Sequence, residues 1–323
     1  MGLIEVDELV VRYGRVTAVD HVSFSVAAGE VLALLGPNGA GKTTTIETLE
    51  GFRRPSSGRA RVLGLDPIAD HAALVRRVGA MLQSGGVYPG IHPREVVRLF
   101  ASYYDDAEDP DALLERVGLG HRRATTWRQM SGGEQQRLSL ALALVGKPEV
   151  VFLDEPTAGI DVAGRHLIRE LIREQRQLGV TVLVTTHDLE EAERVADRIV
   201  IIDRGEIVAS GTPAELMSSS AHDEIRFGAP PHLDTAGLGR ALNAFVDEIS
   251  PGEYEVATPP TPANVAALTA WLAEHELPLA DLRAGRQRLE DVFLRLTAVT
   301  GEYPTVTIDH DRRGGHRRRS RSG

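Results

Sequence analysis

The stretch Gly36 to Thr44, GPNGAGKTT, constrains this chain more than any other. It has the spacing G-x-x-x-x-G-K-[ST], with Gly36, Gly41, Lys42 and Thr43 in the four defining places. The apolar run EVLALL, Glu30 to Leu35, precedes it and reads as a buried strand. TTIETLEGF follows and reads as a helix. Strand, glycine loop and helix together are the context a phosphate-binding loop needs. Glycines let the backbone of Gly36, Pro37, Asn38, Gly39, Ala40 and Gly41 wrap closely, so several N–H groups converge on phosphate oxygens. The helix start adds partial positive charge. Lys42 would reach the outer phosphates, the Thr43 hydroxyl would bind Mg²⁺, and Thr44 completes the loop. A glycine turn with a chance lysine is the competing reading, and the flanking segments oppose it. The motif predicts a nucleoside triphosphate without saying what its energy drives.

Further polar residues fall at the ends of apolar runs. Tyr13 lies just upstream on what reads as a loop and is a candidate platform for an adenine ring; a packed tyrosine at a strand end is the alternative. Gln83 ends the short run AMLQ and could ligate Mg²⁺ and orient water, or be a polar loop residue. Ser131 to Glu134, within MSGGE, opens a long helical pattern. It reads as a second anion-accepting helix start and equally as a capping box. Val150 to Leu153 read as a central parallel strand ending in Asp154 and Glu155. Ligands of open α/β sheets bind at such strand ends. Asp154 would hold Mg²⁺, and Glu155 would polarise a water as general base. Asp161 follows in AGID. The strand-like TVLVTTHD then ends at His187, placed to contact a terminal phosphate and the catalytic carboxylate.

Composition bounds the setting. The chain has 323 residues, so more than one core is expected, domains running to about 100–200 residues. Cysteine is absent, which excludes disulfides and thiol catalysis. No apolar run approaches the roughly 18–20 residues of a membrane span, and the acidic N-terminus does not read as a secretion signal. A net charge of −10 disfavours general nucleic-acid binding, although the end, RRGGHRRRSRSG, is strongly basic. The polar SSSAHD suggests a boundary, giving an ATP-binding domain over 1–220, a small α/β unit over 221–300 and a basic disordered tail over 301–323.

With the P-loop, Gln83, MSGGE, VVFLDE, AGID and His187 in this order, residues 1–220 resemble the nucleotide-binding subunit of ATP-binding cassette (ABC) transporters. The resemblance implies an α/β P-loop fold: a RecA-like core with antiparallel β and α-helical subdomains, followed by the small C-terminal α/β domain. It implies that Tyr13 stacks on adenine and that Gln83 couples the site to a membrane subunit. Ser131 to Glu134 match the signature, Asp154 and Glu155 the Walker B pair, Asp161 the D-loop aspartate and His187 the switch histidine. The closing LEDVFLRLTAVTG looks like exporter ATPases of the daunorubicin-resistance type. Two departures stand out. The signature has Met130 for Leu and Glu134 for Gln, which brings a carboxylate near phosphate unless it turns away or meets a cation. The D-loop keeps its Asp but lacks the usual Ser-Ala-Leu opening.

One chain thus carries two anion-gripping surfaces, which predicts a head-to-tail dimer with each ATP between Gly36–Thr44 of one copy and Ser131–Gly133 of the other. Integral-membrane permease subunits would be separate polypeptides, placing the chain at the cytoplasmic face of the membrane. A soluble ABC ATPase acting on ribosomes or DNA is the alternative. The single phosphate loop opposes a two-cassette translation factor, and the short gap from Thr44 to Ser131 leaves no room for a repair-type coiled coil.

Overall fold

A computed structural model describes residues 2–81, 87–219, 224–284 and 289–298. Strands β1 (Ile4–Tyr13) and β2 (Val16–Val26) form an antiparallel hairpin. Strand β3 (Val31–Leu35) is buried at all five positions and leads through the glycine loop into helix α1 (Lys42–Leu49). Strand β4 (Ser57–Val62) returns to the hairpin, giving a three-stranded sheet in the order β2-β1-β4. Its inward residues, Ile4, Val6, Val22, Phe24, Ala60 and Val62, share a core with Leu32, Leu34 and Ile46. This small sheet therefore roofs the strand and helix that flank the phosphate loop.

Helix α2 (His71–Leu74) is short, and β5 (Val78–Met81) follows it at once. Parallel pairing of Val78 to Met81 with Val150 to Leu153 places that strand in the large sheet. Helices α3 (Pro93–Ala101), α4 (Pro110–Arg116) and α5 (Gly132–Leu144) pack together through Val96, Val97, Leu113, Leu114 and Leu138. Pro93 and Pro110 stand at first helical positions, where a missing N–H costs nothing.

Strand β6 (Val150–Asp154), helix α6 (Val162–Gln177), strand β7 (Thr181–Thr186), helix α7 (Leu189–Val195) and the hairpin β8 (Arg198–Asp203) and β9 (Glu206–Gly211) complete a six-stranded sheet in the order β5-β6-β7-β3-β8-β9. All neighbours are parallel except the edge strand β9. Strands β6 and β7, buried at every position, explain the unbroken apolar runs in the sequence. The C-terminal ends of β3, β6 and β7 lie side by side. That brings Gly36, Asp154 and Thr186 to one edge although they are far apart in the chain.

After helix α8 (Pro213–Ser219), residues 224–284 build a separate sheet. Strand β10 (Ile225–Gly228), helix α9 (Thr235–Leu242), strands β11 (Val246–Ser250) and β12 (Glu253–Val256), helix α10 (Pro262–Glu274) and strand β13 (Ala280–Ala284) form a βαββαβ unit in the order β11-β12-β10-β13. Ile225, Phe227, Tyr254, Val256, Leu268 and Leu272 fill its own core. Helix α11 (Leu289–Ala298) packs back on α7 and α8, and Leu289 joins the core of the larger region. The boundary segment around 220–223 and the basic tail over 301–323 lie outside the described residues.

Candidate active site

The phosphate loop is shaped by glycines at places other residues could not occupy. Gly41 has φ +105°, and a Cβ there would stand 2.4 Å from the Ala18 carbonyl oxygen. A Cβ on Gly36 would meet the Ile202 carbonyl oxygen at 2.2 Å. The loop is thus clamped between the β-hairpin and β8. Among the described residues, no acceptor meets the backbone N–H groups of Gly39, Gly41, Lys42, Thr43 or Thr44. These amides stand together at the start of α1, where the helix dipole is positive. The loop residues Pro37, Asn38, Gly39 and Ala40 bridge the two clamped glycines, and Asn38 and Gly39 are exposed.

Lys42 is buried, and its Nζ points at three oxygens: Gly36 O at 2.8 Å, Pro37 O at 3.1 Å and Glu155 Oε1 at 3.5 Å. Burial pulls the ammonium below the ordinary lysine range, while Glu155 and Asp154 oppose that pull. The Thr43 Oγ1 lies 3.5 Å from Asp154 Oδ1, and Thr185 Oγ1 donates to the same Asp154 oxygen. Glu155 N–H donates to Thr185 Oγ1 at 3.0 Å, and Glu155 Oε2 lies 2.9 Å from His187 Nδ1. His187 is half exposed, whereas Asp154 and Glu155 are buried. One edge of the sheet therefore gathers a hydroxyl, two carboxylates, an ammonium, an imidazole and a row of free amides.

Tyr13 ends β1 rather than lying on a loop, and it is 43% exposed. Its hydroxyl is 3.3 Å from Thr44 Oγ1, and the Arg53 guanidinium stacks 4.4 Å from its ring centroid. The ring is thus held beside the phosphate loop with one face covered by a cation.

Comparison with known proteins decides the family. A family model described as ABC transporter matches residues 19–158. The chain is 39% identical over 309 residues to the Nod factor export ATP-binding protein I of Paraburkholderia xenovorans (strain LB400), with 91% of this chain and 96% of that protein covered. The chain belongs to the ABC transporter ATP-binding family. It is also 35% identical over 302 residues to the daunorubicin resistance ATP-binding protein DrrA3 of Streptomyces coeruleorubidus, covering 91% of this chain and 95% of the relative. A solved ATP-binding subunit of an ABC transporter has a similar fold, with a TM-score of 0.62 at 29% identity, over 67% of this chain and 92% of that one. ABC subunits of this kind bind and hydrolyse ATP. No helix among the described residues is long and apolar enough to cross a membrane.

In this ABC subunit no hydrogen bond or ion pair among the described residues joins Ser131, Gly132 or Gly133 to residues 36–44. Ser131 N-caps α5, and both halves of the capping box form: Glu134 N–H to Ser131 Oγ at 3.3 Å and Ser131 N–H to Glu134 Oε2 at 2.8 Å. The amides of Gly132 and Gly133 meet no acceptor among the described residues. The unusual Glu134 carboxylate does not face outward. Its Oε1 takes the Arg122 Nε at 2.6 Å. Burial alone would push this carboxyl up, but the Ser131 amide and the Arg122 guanidinium outweigh it and hold the group below the usual carboxylate range.

Asp161 N-caps α6, accepting from Gly164 N–H at 2.8 Å, and is exposed. Gln83 lies outside the described residues. Three residues escaped the sequence reading. Arg122 was hidden in a helical stretch, Thr185 in an apolar strand, and Gln136 in the body of α5, where its Nε2 donates to the Glu155 carbonyl at 3.1 Å. Only Thr185 had a usable signal: a hydroxyl at the end of a strand beside the Walker B strand.

Proposed function

We propose that this chain powers export of a hydrophobic compound through separately encoded membrane subunits, by hydrolysing ATP at the interface of a head-to-tail homodimer. One observation carries the reading. Each chain presents two sets of backbone amides that meet no acceptor among the described residues, at Gly39 with Gly41–Thr44 and at Gly132–Gly133, and no hydrogen bond or ion pair among those residues joins the two. A second copy, turned head to tail, would bring Ser131 to Gly133 onto the terminal phosphate held by the first. Export is supported by the relatives, whose names attach to Nod factor export and to daunorubicin resistance. They disfavour action on ribosomes or DNA.

Within each site the side chains divide the work. The amides of Gly39 and of Gly41 to Thr44 and the Lys42 ammonium bind the phosphates, and Tyr13 packs the base. Glu155 takes a proton from the attacking water as its oxygen bonds to the γ-phosphorus; the bond to the β–γ bridging oxygen breaks, giving ADP and phosphate. His187 orients Glu155 and contacts the γ-phosphate. Among the described residues no group of three or more His, Asp or Glu forms a metal cage. A facing hydroxyl and carboxylate, Thr43 and Asp154, nonetheless fit Mg²⁺, which commonly takes one or two protein oxygens together with phosphates and waters. Gln83 would join them. Mg²⁺, when bound, supplies charge neutralisation on the phosphates.

The same reading gives Gln83 and the helices after it to the membrane partner, Asp161 to the dimer interface and the chain to the cytoplasmic face of the membrane. Residues 1–220 form the cassette, 221–300 an accessory unit that steadies the dimer or docks the permease, and 301–323 a basic tail. Light scattering of Glu155→Gln with ATP and Mg²⁺ tests the dimer: a twofold rise in mass is expected, and a persistent monomer overturns it.

A further inference from the structure

Glu155 stands in a backbone conformation its side chain does not favour. Its φ is +49°, in the left-handed region where residues other than glycine are strained. Such a residue persists only where its surroundings hold it from several directions. Here the N–H donates to Thr185 O at 3.2 Å and Thr185 Oγ1 at 3.0 Å. The carboxylate sits between His187 Nδ1 at 2.9 Å and Lys42 Nζ at 3.5 Å. These three partners belong to the sheet edge and the phosphate loop. The carbonyl accepts from the Ala158 N–H in the following turn at 3.1 Å and from a side chain on another element, Gln136 Nε2, also at 3.1 Å. A carbonyl only accepts, so the amide must present its nitrogen.

Gln136 lies on α5, one turn past Gly132 and Gly133, and α5 packs with α3 and α4 and against β5. We propose that Gln136 is a positioning residue for hydrolysis: by holding the Glu155 carbonyl it makes the aim of the catalytic carboxylate depend on the orientation of the signature helix. The inference rests on Glu155 as general base and on Ser131 to Gly133 as the surface that meets the partner's nucleotide. The physical argument is short. Turning the peptide unit of Glu155 swings its side chain, and a displacement of about 1 Å at a reacting group can cost about 100-fold in rate. Gln136 thereby links what α5 grips in the partner's site to the carboxylate that acts in its own.

The test uses the full chain with ATP and Mg²⁺. Gln136→Leu removes the donor at similar volume, and Gln136→Lys keeps a donor of similar reach. We expect Gln136→Leu to lower kcat about tenfold, with KM for ATP and melting temperature close to wild type, and Gln136→Lys to recover most of kcat. An unchanged kcat in Gln136→Leu overturns the proposal, as does a loss that Gln136→Lys fails to restore or one that appears in KM instead. Glu155→Gln, run in parallel, separates the two readings. If it hydrolyses ATP normally, the assignment of Glu155 itself falls; if it is inactive while Gln136→Leu is normal, only the role of Gln136 falls.

Discussion

Arg122 donates through Nε to Glu134 Oε1 at 2.6 Å, across the turn that leads into the signature helix. The pair answers the electrostatic objection to an acidic signature. The carboxylate is bound on both oxygens, by Arg122 and by the Ser131 amide, so its charge is compensated before any phosphate arrives. Arg122→Ala should therefore leave an uncompensated carboxylate at the surface meant for phosphate. ATP-dependent dimerisation, measured by sedimentation in a Glu155→Gln background, should weaken about tenfold or more. Adding Glu134→Gln should restore it. A double variant no better than Arg122→Ala would show that the pair matters only for local folding.

Glu50 closes α1 and is 3% exposed, and among the described residues neither carboxyl oxygen has a hydrogen-bond partner. Burial, followed by the Asp154 and Glu47 charges, pushes its carboxyl from an ordinary 4.5 up to about 8. A raised folded value means that the protonated form suits the fold. Its contribution is fully present below about pH 4.5 and is lost as pH rises through about 8. Glu50→Gln should then melt higher than wild type at pH 8, by on the order of 5 °C, and equally at pH 4.5. Melting curves across that range check it. A difference that does not change with pH would contradict the account.

The loop glycines should not tolerate alanine equally. At Gly36 and Gly41 the added Cβ meets backbone oxygen at 2.2 and 2.4 Å, and neither strand can move without breaking its sheet. Each substitution should cost about 3 kcal/mol or more in chemical denaturation. At Gly39 no atom of the described residues lies within 4 Å, and only φ +83° opposes a side chain, so Gly39→Ala should cost about 1–2 kcal/mol. Similar losses at all three positions would mean that backbone strain, not crowding, sets the requirement.

Lys42→Ala should abolish hydrolysis, because the phosphates lose their cation and Glu155 loses the ammonium 3.5 Å away. Nucleotide titration should show weakened binding as well. His187→Ala should instead lower kcat about 100-fold while ATP still binds, since the His187 imidazole hydrogen-bonds the Glu155 carboxylate. Normal turnover in either variant would refute the corresponding role.

Much of this protein could be read in one dimension, because its phosphate chemistry is written in short, contiguous stretches. A loop that needs left-handed glycines next to a lysine announces itself, and five-residue apolar runs announce buried parallel strands. The order of the P-loop, MSGGE, VVFLDE and His187 carried the family as well. Contacts between segments far apart in sequence were not legible. Arg122 reaches Glu134, Thr185 holds both Asp154 and the Glu155 amide, Gln136 crosses from α5 to the Glu155 carbonyl, and Glu50 is sealed against Asp154's field. Residue type and spacing say which groups a chain owns. Which of them meet, and at what cost in burial and charge, is decided only when the parallel pairing of β3, β6 and β7 brings their ends to one edge.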